Sequence, residues 1–583
     1  MRKGKSRSQA GAASRSTVLP KPPKPTTAAR SAALLQTAMG FHQQGQLAAA
    51  QTHYREILAL EPDHFDALHL LGVIDYQQGD YAAAETSIRQ AIAIKPEQAG
   101  PYSNLGLVLQ DQRRHEEALS CFAQAIKLQP GHAEAHNNHG NALRSLRRYE
   151  AALASYEQAL RLKSDYAVAY SNRGNVLQNL KRYEEALLSY QHALRYQPDY
   201  ADAHNNLAHA LRYLNRTEEA LASCVHALQL RPDFAEAFLN AGNLLQDLSR
   251  YREALAPYQR AQQLQADYAE AHLNEGLCRL TLGDFKHGWE KYEWRWVSAT
   301  HDTLRRDFKQ PLWLGQASLQ GKTVLLHAEQ GLGDTLQFCR YVTQVAALGA
   351  RVLLEVQAPL QRLLEQLPGV ARVLVRGEPL PQFDFHCPLL SLPLALRTDL
   401  ASIPAQVPYL HADPARVEAW RQRLAGYPRP LIGLAWSGNP THVNDHNRSI
   451  PLTTLAPLFQ AAGSFVSVQT KVVDADREAF AGFGIIDVTD QLRDFSDTAA
   501  LLVCMDRVIT VDTAAAHLAG ALGLQATVML PCNADFRWLT ERADSPWYPT
   551  LRLVRQARRG DWHELAVRLA ATLGVAARGE AGA

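Results

Sequence analysis

A period of 34 residues runs through the first half of this chain and limits what that half can fold into more than any other feature. Pro62, Pro96, Pro130, Pro198 and Pro232 lie on one grid, with Ser164 and Ala266 where proline is missing. Gly72, Gly106, Gly140, Gly174, Gly242 and Gly276 share a second register, in which Ala208 substitutes once. Ala50, Ala84, Ala118, Ala152, Ala186, Ala220 and Ala254 hold a third, and Ala91, Ala125, Ala159, Ala193, Ala227 and Ala261 a fourth. Small residues at fixed registers let two antiparallel helices approach closely, and proline ends the second helix of each pair. One such pair cannot bury its own apolar face, so the units must stack into a shared core.

This is the tetratricopeptide pattern. It covers residues 31–298, about eight units with an irregular last one, and predicts a right-handed α-solenoid with a concave inner face. Asn104, Asn138, Asn172, Asn206, Asn240 and Asn274 all fall two residues before the glycine position. Asparagine is a mediocre helix-interior residue, so its repetition needs a cause. Hydrogen bonding within the helix is one; an amide ladder that pairs with the backbone of an extended peptide is the other. In this register the chain resembles the repeat domain of protein O-GlcNAc transferases, a resemblance that implies an acceptor protein or peptide held along the six asparagines.

Residues 1–30 carry eight Lys or Arg and no Asp or Glu, leaving the remainder at −6 out of a total of +2. Rich in Ser, Ala and Pro, this tail is expected to be disordered, either solubilising or touching an anionic surface. A mildly acidic body argues against a nucleic-acid groove. The seven cysteines are scattered and odd in number, which fits reduced thiols in a cytoplasm. No apolar run of membrane-spanning length occurs, so no membrane span is expected.

After the repeats, Phe285, Trp289, Tyr292, Trp294 and Trp296 form an aromatic segment expected to cap the repeats and dock them on the next domain, with residues 299–320 as connector. From Lys322 the period changes. Apolar strands are predicted at TVLLHAE, RVLLEV, ARVLV and FDFHC (residues 321–410), and, after a linker at 411–430, at LIGLAW, SFVSVQ, GIIDV, RVITV and ATVML (residues 431–575), with a tail at 576–583. Gly331, Gly333 and Asp334 turn the first strand directly into a helix, a phosphate-binding arrangement, although Leu336 stands where a dinucleotide fingerprint has its third glycine. In the second half, Asp512 and Thr513 sit at the carboxyl end of a strand, with Thr513 placed to cap the following helix and His517 one turn in. A polar loop from Ala435 to Leu452 carries Ser437, Asn439 and Arg448, the last a candidate anchor for diphosphate. His442 and His446, four apart, are a weak metal pair, and Asp474 with Asp476 reads as a helix-start acidic pair in preference to a Mn²⁺ motif.

These segments, with Trp538 and the closing SPWYP at Ser545 to Pro549, resemble heptosyltransferase-like, family 9-like glycosyltransferases, and the whole chain resembles bacterial proteins that join tetratricopeptide repeats to such a domain. The resemblance implies a GT-B architecture of two Rossmann-like halves, a nucleotide-sugar donor, and no metal or other cofactor. Residue by residue it makes Asp334 the catalytic base, and gives donor contacts to Asp512, Thr513 and His517; Gly331, Gly333, Ser437, Asn439 and Arg448 complete the expected donor site. Ala514 replaces the family's glycine, and Arg448 its lysine. The resulting expectation is a glycosyltransferase whose repeats select a protein acceptor. The alternatives are transfer to lipopolysaccharide or another glycan, and a catalytically silent scaffold.

Overall fold

The computed structural model describes residues 26–298, 306–441 and 444–579. Residues 1–25 of the basic tail, the start of the connector, His442, and the end of the C-terminal tail lie outside them. The chain divides into two compact units, residues 1–206 and 207–583.

The first unit is a row of antiparallel helix pairs. Its first helix, Thr27–Gln43, starts inside the segment expected to be a tail, because Thr26 accepts the Ala29 N–H and caps it. Each later pair follows the grid. In Ala133–Ser145 with Tyr149–Leu162, a Cβ on Gly140 would lie 2.6 Å from the Tyr156 ring; in Ala167–Asn179 with Tyr183–Tyr196, Gly174 stands in the same relation to Tyr190. Gly72 seats Ile88 in the same way, while Gly106, Gly140 and Gly174 each seat a buried ring. The ring's hydroxyl is satisfied within the pair: Tyr156 and Tyr190 each donate to an asparagine of the facing helix, Asn141 and Asn175, at 2.8 Å. Gly140→Ala is expected to lower stability by about 1–3 kcal/mol through overpacking, seen as a lower urea midpoint. A further register was not recognised in the sequence: Gly45, Gly79, Arg113, Arg147 and Lys181 all adopt positive φ and end the first helix of a pair in the left-handed conformation.

The second unit begins with the same grammar. Thr217–Leu230, Ala235–Asp247, Tyr251–Leu264 and Ala269–Thr281 follow, with Asn215, Ser249 and Gly283 at the left-handed turns. Where Ala208 replaces glycine, Cys224 stands at the ring's register, so the added methyl group is matched by a smaller partner. The short helix Phe285–Tyr292 and the turn Glu293–Trp296 close the repeats.

Two parallel sheets make up the rest. The first has strand order β3-β2-β1-β4, from β1 (Thr323–His327), β2 (Arg351–Val356), β3 (Val370–Val375) and β4 (Phe385–Pro388). The second has order β6-β5-β7-β8-β9, from β5 (Leu431–Ala435), β6 (Ser464–Ser467), β7 (Arg507–Val511), β8 (Ala526–Leu530) and β9 (Leu551–Arg555). In both, the order reverses beside the first strand, and the inner strands β1, β2, β5, β7 and β8 are near-continuous apolar runs, as a sheet covered on both faces requires. Two sequence expectations change here. GIIDV is not a strand: it contributes one bridge, Ile486 to Val466. LRLVR, whose arginines hid it, is the edge strand β9. The described end of the connector is also no free linker, since Leu312 bridges to His386 and Trp313 is buried.

Candidate functional site

Parallel strands deliver loops to one end, and the strand-to-helix turns of the two sheets meet there. After β1, Gly331 precedes the helix Leu332–Phe338 in extended geometry, and its N–H donates to Asp334 Oδ2 at 2.7 Å. After β7, Asp512 and Thr513 lead into the helix Ala514–Ala521. A Cβ on Gly333 would lie 2.8 Å from the His517 ring and 3.6 Å from Ala514 Cα, so glycine is what lets the turns touch. Asp334, Gly331, Gly333, Asp512, Thr513 and His517 are thus brought into one place.

Asp334 is not a free carboxylate. While Oδ2 accepts from Gly331, Oδ1 forms an ion pair with Arg537, which comes from the loop after β8. Arg537 also binds Asp535 at 2.7 Å, and Asp535 accepts the Arg537 backbone N–H at 3.0 Å. The Asp512 side chain is 14% exposed, and its partial removal from water, together with the nearby Asp535, raises its carboxyl from 3.8 to about 6. His517 is driven the other way. Burial, then the charges of Arg537, Arg340 and Arg448, hold its imidazole neutral, well below its ordinary range. Its Nδ1 meets the Tyr548 hydroxyl at 3.0 Å, its Nε2 lies 4.0 Å from Asp512 Oδ1, and its ring stacks on Trp538.

The remaining predicted donor residues line the loop after β5. Arg448 donates to the Asp512 carbonyl at 3.0 Å and faces Asp445 at 3.4 Å, from the short helix Asp445–Arg448 that the proline-containing loop had not led us to expect. Gly438 makes room for it: a Cβ there would sit 2.9 Å from the Arg448 guanidinium. Ser437 and Asn439 serve the loop itself. Gln469 donates to Ser437 Oγ at 3.1 Å, and Asn439 folds an Asx turn onto the Thr441 N–H at 3.1 Å. Thr513 does not cap its helix, although its extended backbone suits the N-cap position; its hydroxyl donates instead to the Val511 carbonyl at 3.4 Å. His446 lies in the helix beside Arg448, and its expected partner His442 falls outside the described residues. Asp476 is a structural acceptor for Trp436 Nε1 at 2.7 Å and the Leu452 N–H at 3.0 Å, and Asp474 pairs with Arg477.

Four charged residues at or near this place, Arg537, Arg340, Arg295 and Glu329, escaped the sequence reading. Arg537 lies in no recognisable motif. Arg340, two residues past the helix Leu332–Phe338, is buried and donates to the Trp547 carbonyl at 2.7 Å and the Tyr409 hydroxyl at 2.9 Å, tying the first half to the segment that holds Tyr548. Arg295, at the end of the repeats, is buried against Glu329, just before the Gly331 turn, at 3.1 Å, and reaches Ser391 at 2.8 Å. Burial pushes Glu329 up to about 7 even with Arg295 beside it. The aromatic segment docks as expected: Trp289 packs edge-on against Phe338 and Phe536.

All six asparagines of the ladder register are half-buried. In the first unit Asn104 meets His69 at 2.9 Å, Asn172 donates to Asn137 at 3.0 Å, Asn138 accepts from Asn137 at 3.2 Å, and the Asn206 carbonyl accepts from Gln178 at 2.8 Å. In the second unit Asn274 donates to Asn243 at 2.8 Å, while Asn240 is also engaged. These side-chain bonds of Asn104, Asn172 and Asn274 run between successive repeats, not within one helix as the simpler cause supposed.

The fold therefore comprises helical repeats joined to paired parallel α/β sheets. The tetratricopeptide-repeat pattern matches residues 35–99, 103–167, 167–200, 201–234 and 239–286, and repeats of this kind bind protein partners. The chain is 27% identical to Protein FlbA of Caulobacter vibrioides over 319 residues, half of this chain, and spans 53% of that relative's length. Among solved structures it is similar to YrrB, described as a TPR protein with an unusual peptide-binding site (27% identity, TM-score 0.27, 32% of this chain and 95% of that one). It is also similar to PilF of Pseudomonas aeruginosa (22% identity, TM-score 0.33, 36% and 94%). Among the described residues, no helix is long and apolar enough to cross a membrane.

Proposed function

We propose that the chain is a nucleotide-sugar-dependent glycosyltransferase of GT-B architecture that acts on a protein acceptor bound by its repeats. The observation that carries this reading is the meeting of Asp334 with Asp512 and His517, from the carboxyl ends of strands in two parallel sheets, where open sheets of this kind bind ligands. The donor diphosphate is held by Arg448 and the free amides of Ala514–Ala521. Asp334 takes the proton of an acceptor hydroxyl as that oxygen forms its bond to the anomeric carbon, and the nucleoside diphosphate leaves with the electron pair of the broken bond. Electrostatic stabilisation of the departing charge falls to Arg448 and those amides. Asp334 must first release Arg537.

A thermal-shift panel of uridine, guanosine, cytidine and adenosine diphosphate sugars tests the donor. One base class should raise the melting temperature in proportion to the logarithm of its concentration, and the same donor should be consumed with a protein substrate. Stabilisation by none of the four, with no hydrolysis or transfer, would leave the repeats as a scaffold carrying a silent domain. For the acceptor side, replacing Asn138, Asn172 and Asn206 together by Ala is expected to weaken peptide binding roughly tenfold or more, at about 0.5–1.5 kcal/mol per lost hydrogen bond. Unchanged affinity in a titration would assign those amides to repeat packing alone.

A further inference from the structure

Four carboxylates and three guanidinium groups crowd the meeting of the two turns: Asp334, Asp445, Asp512 and Asp535 against Arg448 and Arg537, with Arg340, bound to the Trp547 carbonyl and the Tyr409 hydroxyl, close enough to act on His517. The neutral His517 adds no charge. An anionic ligand entering such a place gains little unless it takes over a cation that a carboxylate already holds, since the region carries more acid than base. Which carboxylate can yield follows from the chain connections. Asp535 lies two residues from Arg537 and also accepts its backbone N–H, so it is bound into the same turn. Asp445 lies three residues from Arg448 in one short helix and also accepts from Ser449 at 2.9 Å. Asp512 is joined to Arg448 through its backbone carbonyl. Of the four, Asp334 alone reaches its arginine from the other sheet, and it has a second acceptor contact, Gly331 N–H, to keep when Arg537 is gone.

Arg537 is also incompletely satisfied. Its Nη1 and Nη2 are paired, but its Nε is buried without an acceptor among the described residues, although the guanidinium lies over the Phe536 ring at 4.5 Å. A buried donor left unpaired costs about 1–3 kcal/mol. A phosphate group, with several acceptor oxygens, matches the guanidinium fork better than a single carboxylate oxygen does.

We propose that Arg537 is a diphosphate-binding residue whose guanidinium passes from Asp334 to the donor diphosphate, so that donor binding is what frees Asp334 to act as base. The inference rests on the transferase reading and adds an order to it. Donor binds first, because until it does the base is occupied. Arg537 then stands on the leaving-group side and Asp334 on the acceptor side of the same transfer.

The exchange has a test whose sign is unusual. Removing a residue that lines a binding site normally weakens binding, whereas here Asp334→Asn should bind inorganic pyrophosphate more tightly than the wild type, by roughly tenfold, the loss of one competing ion pair of about 1.4 kcal/mol. Asn keeps an oxygen for Gly331 N–H, and Asp334→Ser provides a second charge-free variant should the first disturb the turn. In the Arg537→Gln background the Asp334→Asn change should have no effect on affinity. Isothermal titration of the full-length proteins with pyrophosphate gives all four affinities. Equal or weaker binding by both Asp334 variants, or the same tightening in the Arg537→Gln background, overturns the exchange. The two readings fail separately. Tightening without binding of any sugar nucleotide would sink the transferase and keep the exchange, while a functional donor with no tightening would do the reverse.

Discussion

Arg295→Met should lower the stability of the second unit by about 3–5 kcal/mol at neutral pH, the usual consequence of leaving a buried carboxylate without its partner. Arg295 and Glu329 are each about 1% exposed, so bulk water does not screen the charge left behind. Ser391 loses a donor as well, and Glu293, 2.6 Å from Arg295, loses its cation. The pH dependence identifies the cause. Glu329 already has its carboxyl raised from 4.5 to about 7, burial being the largest cause, so its contribution to stability is full below about 4.5 and falls as the pH rises through 7. Without Arg295 the carboxyl moves higher still, and the deficit should be smaller at pH 6 than at pH 8. Adding Glu329→Gln should recover part of the loss, because the pair is then removed together. Urea unfolding followed by tryptophan fluorescence reads these effects, since Trp289 and Trp294 lie close to Arg295 in sequence. A deficit independent of pH would mean that Arg295 acts through packing on Tyr292 and Trp296, over whose rings it lies, and not through its charge.

Arg295 also marks where the sequence stopped being informative. The repeats could be read because one constraint, a close approach of the paired helix at a small residue, most often by a buried ring, recurs on the 34-residue grid, so each copy supports the others. Even the exception was consistent, with Ala208 matched by Cys224. The α/β strands could be read wherever they were uniformly apolar. They were missed at β9, where Arg552 and Arg555 interrupt leucine and valine at a sheet edge, and wrongly predicted at GIIDV, which has strand composition but lies beyond the last full strand pairing. Within the site, Asp334, Asp512 and His517 sit on strand-to-helix turns, whose local grammar is visible in a linear chain. Arg537 and Arg340 act through partners about 200 residues away, Asp334 and Trp547, and nothing in their neighbouring sequence signals such partners. The misread Thr513 has the same lesson at shorter range: its residue type and its backbone both suit a cap, as they do at Asp494, but its hydroxyl takes the Val511 carbonyl instead, a side-chain choice that the sequence does not show.

Asp512→Asn is expected to stabilise the protein by about 1–3 kcal/mol at pH 8 and hardly at all near pH 4. The carboxyl of Asp512 is raised from 3.8 to about 6, so the folded state holds that proton more tightly than the unfolded chain does. Its contribution is therefore fully present below about pH 4 and lost as the pH rises through 6, each tenfold difference in proton affinity between the folded and unfolded chain being worth roughly 1.4 kcal/mol. Asparagine fixes the neutral condition at every pH and should flatten that limb of the profile. His517 works in the opposite direction. Held neutral by burial and by Arg537, Arg340 and Arg448, it favours the folded state above its ordinary 6.5 and withdraws that support as the pH falls, so the acid limb should survive in the variant. A group that destabilises the fold at neutral pH, in a place where an amide would serve better, is what a ligand-binding site retains at the expense of stability. The same variant should accordingly bind the sugar nucleotide more weakly while melting at a higher temperature. Should it melt lower at pH 8, Asp512 belongs to the framework of the turn, and the proposed donor site would be left with Arg448, Arg537 and the amides of the helix Ala514–Ala521.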